Sequence, residues 1–197
     1  MLIIGLTGNL GTGKTEVAHV LAGLGASIIN ADQLGHDLLQ YHTQAYTKIL
    51  DVFGKSILKQ NKEIDRKKLG QLVFKDSEAL DKLNKIMHPR IYEMVIQKID
   101  EYRKAGAKVV ILEAALLIEA GWKPLLDQLW VTSAPESTIA RRLKKSRGLT
   151  EEQVFERLKN QLPQKEKIKH ADVVIDTNLP MDQLRARVRE LWNKIGN

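Results

Sequence analysis

Cysteine is absent from the chain, which removes disulfide frameworks and thiolate metal sites from consideration and fits a reducing compartment. Aromatic residues make up only 5% and are not interleaved with the basic ones, so the stacking platform of a single-strand nucleic-acid binder is missing. No apolar stretch approaches the ~18 residues that a membrane span requires. No basic-then-apolar leader of signal-peptide type opens the sequence. These absences point to a cytoplasmic protein with neither a membrane nor a nucleic acid as its partner.

What remains is a chain of 197 residues, 43% hydrophobic, enough to bury a core as one domain with inserted subdomains. Its net charge of +7 suits anionic partners, nucleic acid or a phosphorylated small molecule, without choosing between them. Much of the excess lies in mixed-charge segments such as "EIDRKKLGQ" and "KIDEYRKAGAK", which read as solvated helix faces.

Five apolar runs read as core strands: Leu2 to Thr7, Ala26 to Ile29, Val109 to Leu112, Leu129 to Thr132 and Val173 to Ile175. Helical patterns lie between them. Strands alternating with helices predict an α/β fold in which a parallel sheet is covered on both faces, because each parallel connection must cross over the sheet. The long interval between the second and third runs reads as successive helices. In it Gly54 closes one segment, Asp65 caps "RKKLGQLVF", Ser77 caps "EALDKLNKIM", and Pro89 opens a helix running to Gly106. A second, smaller insert lies between the fourth and fifth runs, where Thr150 and Gln153 form a capping-box pattern ahead of Pro163. The closing segment "MDQLRARVRELWNKI" reads as an amphipathic helix.

The stretch from Gly8 to Thr15, "GNLGTGKT", lies between the first strand and a helix over residues 14–24 that Gly25 can end. It fits the P-loop pattern. Gly8, Gly11 and Gly13 let the backbone bring its N–H groups to phosphate oxygens, while the helix behind turns its positive end toward the same anion. Lys14 reaches the β- and γ-phosphates in that pattern, and the Thr15 hydroxyl ligates Mg²⁺. Asp32 follows the second strand, at the sheet edge where ligands of open α/β sheets gather. A carboxylate there can take a proton from an attacking hydroxyl or help hold Mg²⁺; equally, Asp32 can cap a helix starting at Gln33.

The P-loop is joined by "INADQLGHDLL", "MHPRI", "VVILEAALLIEAGW", "APESTIARRL", "SRGLTEEQVFERLKNQ" and "ADVVIDTN", in that order along the chain. With these pieces the sequence resembles the dephospho-coenzyme A kinase family. The resemblance implies a P-loop NTPase-type core over residues 1–32 and 107–197, a helical coenzyme A-binding insertion over 33–106, and a small helical lid over about 142–165. It implies transfer of phosphate from ATP, with Mg²⁺, to the ribose 3′-hydroxyl of dephospho-coenzyme A. Another small P-loop kinase is the alternative, and a nucleotide-dependent RNA-binding protein is a more distant one.

By the same resemblance Asp32 is the general base, and Lys14 and Arg141 stabilise the transferring phosphoryl group. The nucleotide site comprises Gly8, the main chain from Gly11 through Thr12 and Gly13 to Thr15, with Glu16, Arg147 and Asn178. His88, Leu116, Leu117 and Glu119 line the acceptor site. His88 can instead cap the helix ahead of Pro89, Leu116 and Leu117 can be ordinary core, and Arg142 is left as a spectator. The sequence departs from the family's pattern in three places. Asn30 stands where an Asp is usual, the acidic residue that usually follows the lid arginine is missing from "SRGLT", and Glu113 stands where many P-loop proteins carry a magnesium-orienting Asp, which it could replace through a bound water.

Overall fold

A computed structural model describes residues 1–148 and 150–195; the side chains of Arg147 and Glu151 lie outside the described set. The strands are β1 (Leu2–Thr7), β2 (Ser27–Asn30), β3 (Val109–Glu113), β4 (Gln128–Ser133) and β5 (Val173–Asp176). Among the described residues they form one parallel sheet of order β2-β3-β1-β4-β5. Strands β1 and β3, both interior to the sheet, are apolar almost throughout because both of their faces are covered, the condition under which a strand reads as a continuous apolar run. Two aspartates set the lower edge of the sheet. Asp127 Oδ2 accepts from the Ile3 N–H at 2.7 Å, and Asp172 Oδ2 accepts from the Leu129 N–H at 2.7 Å, so the residue just before β4 and the one just before β5 each occupy a donor on the second residue of the neighbouring strand.

Helix α1 (Lys14–Gly23) follows the P-loop and packs beside the closing helix α9 (Met181–Ile195). Val17, Ala18 and Leu21 of α1 meet Leu184, Val188 and Leu191 of α9 over the sheet residues Ile4, Leu6, Ile111, Trp130 and Ile175, all buried. Between β4 and β5 come α6 (Glu136–Arg147), α7 (Glu151–Lys159) and α8 (Gln164–Lys169). The capping box expected at Thr150 is formed: its side chain accepts from the Gln153 N–H, and Gln153 accepts from the Thr150 N–H. Ile139, Leu143 and Val154 then make a small separate core with Ala134, against which Leu10 of the P-loop packs.

The chain divides into two compact units, one of Met1–Asn30 with Ile99–Asn197 and one of Ala31–Lys98. The second holds α2 (Ala31–Leu38), α3 (Gln44–Phe53), α4 (Arg66–Val73) and most of α5 (Ser77–Lys104). Its own core includes Ala45, Tyr46, Ile49, Ile57, Leu69, Val73 and Met87. The last turns of α5 belong with the sheet, since Ile99 is buried and Tyr102 Oη donates to the Ile28 carbonyl at 3.2 Å. The division therefore falls inside a helix rather than at Gly106.

Several local expectations need correction. Asp76, not Ser77, caps α5, its Oδ1 accepting from the N–H groups of Glu78 and Ala79. Pro89 does not open a helix but lies within α5. Its missing N–H leaves one backbone bond unmade, at a cost of roughly 3 kcal/mol. Packing of buried Met87 and half-buried Ile91 holds the helix together across it, and the Arg90 guanidinium donates to the Ile86 carbonyl at 2.8 Å. His88 therefore caps nothing. Asp32 is no cap either, because α2 already begins at Ala31 and places Asp32 in its first turn. Asp65 does cap α4, accepting from Lys67 and Lys68.

Candidate active site at the carboxyl edge of the sheet

The loop from Gly8 to Gly13 leaves β1 at the edge where all five parallel strands end. Gly13 sits in the left-handed region at φ 83° and starts α1 with no side-chain cap, so the first-turn N–H groups keep the positive end of the helix open to an anion. Gly8 has no room for a side chain: a Cβ there would lie 2.3 Å from Thr132 Oγ1 and 2.6 Å from the Thr132 carbonyl. Lys14 is only 8% exposed. Its ammonium folds back beneath the loop and donates to the Gly8 carbonyl at 2.8 Å, while Thr12 Oγ1 donates to the Asn9 carbonyl at 2.7 Å. A concentrated positive charge is thus held inside a ring of main-chain groups.

Beside it, the Thr15 hydroxyl donates to Glu113 Oε1 at 2.9 Å, and Asn30 Nδ2 donates to Glu113 Oε2 at 3.0 Å. Glu113 is 3% exposed, and a buried carboxylate persists where such donors satisfy it. The register explains the meeting, since Glu113 pairs with Asn30 on β2 and with Leu6 on β1. Asn30 thereby gains a physical reason: an Asp in its place would set a second carboxylate against Glu113. Thr15 Oγ1 and the Glu113 carboxylate are oxygen ligands of the kind a hard divalent cation takes, although no cluster of three or more His, Cys, Asp or Glu suited to a metal occurs among the described residues.

The loop after β5 closes the other side. Thr177 Oγ1 donates to the Thr12 carbonyl at 2.6 Å, and Thr138 Oγ1 donates to Asn178 Oδ1 at 2.8 Å. Arg142 joins these segments: Nη2 donates to the Thr177 carbonyl at 2.7 Å, and Nη1 donates to Thr177 Oγ1 at 3.1 Å and to the Gly11 carbonyl at 3.4 Å. The supposed spectator is therefore the arginine that ties P-loop to β5 loop. Arg141, one residue along, is exposed and takes no part in those bonds. The signal was present in the helical spacing, since Thr138 and Arg142 lie four apart on one face of α6. Arg147 ends α6, and its side chain lies outside the described residues. Glu16 makes a loose, half-exposed pair with Arg185 at 3.8 Å.

A third contact, between residues that no sequence motif links, reaches the P-loop from the segment between α7 and α8. The Leu10 N–H donates to Gln161 Oε1 at 2.9 Å, and Asn9 Nδ2 donates to the Leu162 carbonyl at 3.2 Å. The Leu162 N–H in turn donates to Glu119 Oε1 at 2.8 Å, and Glu119 pairs with Lys167 at 2.8 Å. Of the expected acceptor residues in this unit, Glu119 is thus engaged internally and Leu116 is half-buried. Leu117 is a correction: it is fully buried, packed against Gly5, and belongs to the core rather than to a pocket wall.

Asp32 and His88 belong to the second unit. Asp32 is exposed in the first turn of α2. His88 is half-buried in α5, and burial lowers its pKa below the ordinary 6.5 because desolvation disfavours the imidazolium.

A parallel sheet, a P-loop with its lysine and hydroxyl, and a carboxylate at the next strand end define a P-loop nucleotide-binding protein of the small-molecule kinase class. The dephospho-CoA kinase family model matches residues 2–183. The dephospho-CoA kinase of Dehalococcoides mccartyi is 42% identical over 191 residues, covering 97% of this chain and 96% of that protein. Two solved structures align over 98% of the chain. TT1252 from Thermus thermophilus has TM-score 0.82, 28% identity and 97% of its own chain covered. The dephospho-CoA kinase from Campylobacter jejuni has TM-score 0.71, 27% identity and 96% covered. The chain belongs to the dephospho-CoA kinase family, a family of phosphotransferases. Among its described residues no helix is long and apolar enough to cross a membrane.

Proposed function

We propose that this protein transfers the γ-phosphate of ATP to the ribose 3′-hydroxyl of dephospho-coenzyme A, giving coenzyme A and ADP in the cytoplasm. The observation that carries the reading is the P-loop held closed around Lys14 with the Thr15–Glu113 pair beside it, in a chain of this family.

The chemistry needs little covalent participation by protein groups; positioning and charge do most of it. Triphosphate displaces the Lys14 ammonium from the Gly8 carbonyl and takes up its charge, together with the N–H groups that open α1. Thr12, Gly13, Glu16 and Asn178 hold the remaining contacts of the nucleotide. The 3′-hydroxyl attacks the γ-phosphorus in line with the departing ADP oxygen, and Asp32 accepts the hydroxyl proton. Its exposed position two residues past β2 supports this role, since a base must be accessible to an incoming alcohol. As negative charge spreads over the transferred group, Arg141 and Arg147 supply guanidinium charge while a small lid over about residues 142–165 excludes water. Mg²⁺, held by Thr15 Oγ1 with Glu113 behind it, would supply positive charge to the phosphate oxygens.

The unit Ala31–Lys98 serves as the acceptor-binding part, with His88 as a neutral hydrogen-bonding imidazole. The decisive experiment incubates the purified protein with ATP, Mg²⁺ and dephospho-coenzyme A and weighs the product. One added phosphoryl group at the 3′-position is expected. Phosphorylation of a different acceptor alone would replace the substrate, and no phosphorylation of any acceptor would remove the reading.

A further inference from the structure

Lys167 is fully buried in α8, and the proposed transfer makes no use of it. Its ammonium donates to the Ala115 carbonyl at 2.6 Å and pairs with Glu119 at 2.8 Å. The Lys167 ammonium is wholly buried while the Glu119 side chain keeps 22% of its surface exposed, so desolvation, chiefly of the lysine, offsets much of their attraction; the best-attested use of such a pair is to fix register. Here the register fixed is that of three segments far apart in sequence. The same Glu119 oxygen accepts from the Leu162 N–H, the Leu162 carbonyl accepts from Asn9, and the adjoining Gln161 accepts from the Leu10 N–H. The chain of bonds runs without interruption from a buried cation to the first half of the P-loop. Asn9 Oδ1 is buried without a partner, so the loop's apex depends on the Nδ2 bond to Leu162 for its side-chain anchorage.

We propose that Lys167 and Glu119 are positioning residues for nucleotide binding, holding the α7–α8 turn against Asn9 and Leu10 so that the P-loop keeps a single, phosphate-ready conformation. The proposal rests on the P-loop being the ATP site. Without the clamp the loop samples other conformations, and apparent ATP affinity falls in proportion to the competent fraction. Affinity for the acceptor does not.

The test compares Lys167→Met and the double variant Lys167→Met with Glu119→Gln, the latter leaving no unpaired buried charge. Thermal unfolding, ATP binding by calorimetry, and KM for ATP and for dephospho-coenzyme A are measured for each. Wild-type turnover is measured first, so that a failure of the kinase reading shows there and not in the variants. The expected result for the double variant is an ATP dissociation constant and KM raised about tenfold, an unfolding temperature near that of the wild type, and an acceptor KM changed less than twofold. A double variant that unfolds like the wild type and binds ATP like the wild type would overturn the proposal. Asn9→Ala and Gln161→Ala cut the same chain at its other end without stranding a charge. If both leave ATP affinity unchanged, the proposal fails whatever becomes of the Lys167 variants.

Discussion

Replacing Asn30 with Asp tests the electrostatics of the site most directly. Asn30 Nδ2 lies 3.0 Å from Glu113 Oε2, so Asn30→Asp exchanges a donor for a carboxylate oxygen at about the same separation from a carboxylate that is 3% exposed. Two ionised carboxylates at that distance repel by about 5 kcal/mol at an effective dielectric of 20. Protonating one of them at pH 7 costs about 4 kcal/mol, since its unperturbed pKa is near 4. The cheaper route caps the penalty, and rotation of the introduced carboxylate toward solvent reduces it further, to about 2–4 kcal/mol. On a domain of this size that lowers the unfolding temperature by roughly 4–16 °C. The sign with pH follows from linkage. The shared proton raises a folded-state pKa above its unfolded value, so the native variant binds more protons than the unfolded one and its stability relative to the parent declines as pH rises. Parent and variant are unfolded in urea at pH 5 and pH 8 without divalent cations, then with Mg²⁺. Protonation costs only about 1.4 kcal/mol at pH 5, so the gap should be wider at pH 8 by about 0.5–2.5 kcal/mol and should narrow with Mg²⁺. A gap that is equal at both pH values, or absent, would refute the placement of Asn30 as donor to a buried charge.

Asp32→Asn keeps shape but removes the proton acceptor, so kcat should fall by ~10² or more with ATP affinity unchanged; equal turnover would retire Asp32 as the base. Gly8→Ala should cost about 3 kcal/mol or abolish ATP binding, because its Cβ would meet the Thr132 main chain. Gly23→Ala, in a helix with open space around it, should instead stabilise by about 0.5–1 kcal/mol; thermal unfolding of both separates crowding from a general intolerance of change. Burial depresses the His88 pKa, so below about pH 6.5 the unfolded chain takes up a proton that the native one resists, and stability is lost as pH falls toward the folded-state value. His88→Phe should lose less stability than the parent between pH 7.5 and 5.5, whereas parallel losses would sink that account. Arg142→Met should raise the KM for ATP about tenfold by freeing the Thr177 loop, the loss expected of a charge-assisted bond, while Arg141→Met should lower kcat with little change in that KM. The reverse pattern would exchange their roles.

Much of the core was legible because its signals are local. The strands read as apolar runs, and their observed ends fall within a residue of those runs; β2 starts one residue later, at Ser27. The P-loop is eight consecutive residues whose backbone demands are written in its glycines. Asp65 and the Thr150–Gln153 box were readable for the same reason, since a cap is decided by residues two or three apart. Where two capping residues stand together, as at Asp76 and Ser77, spacing alone does not say which side chain turns back, and the structure chose the carboxylate. Pro89 misled because a proline is a strong local stop signal that tertiary packing can overrule, and the buried Met87 and the Ile91 packed near it come from a core assembled by α2, α3 and α4.

The pairs that lock the site were invisible for the opposite reason. Arg142 meets Thr177 35 positions away, Glu119 meets Leu162 43 away, and Asn9 meets Leu162 153 away. Each partner, read in its own neighbourhood, looks ordinary. Lys167 sits in "QKEKIKH", a stretch whose charge pattern describes a solvated helix, and its neighbours Glu166 and Lys169 do pair on the surface. One lysine of that run is buried because α8 lies against β4, and the carbonyl of Ala115 receives its ammonium there. No rule of composition or period selects the middle lysine, since the selection is made by the sheet's geometry after the chain has folded. Resemblance to relatives carried Glu119 to the acceptor side on its motif alone. The physical reason now visible for a carboxylate at that position is the buried cation beneath it, which would otherwise stand unpaired in the protein interior.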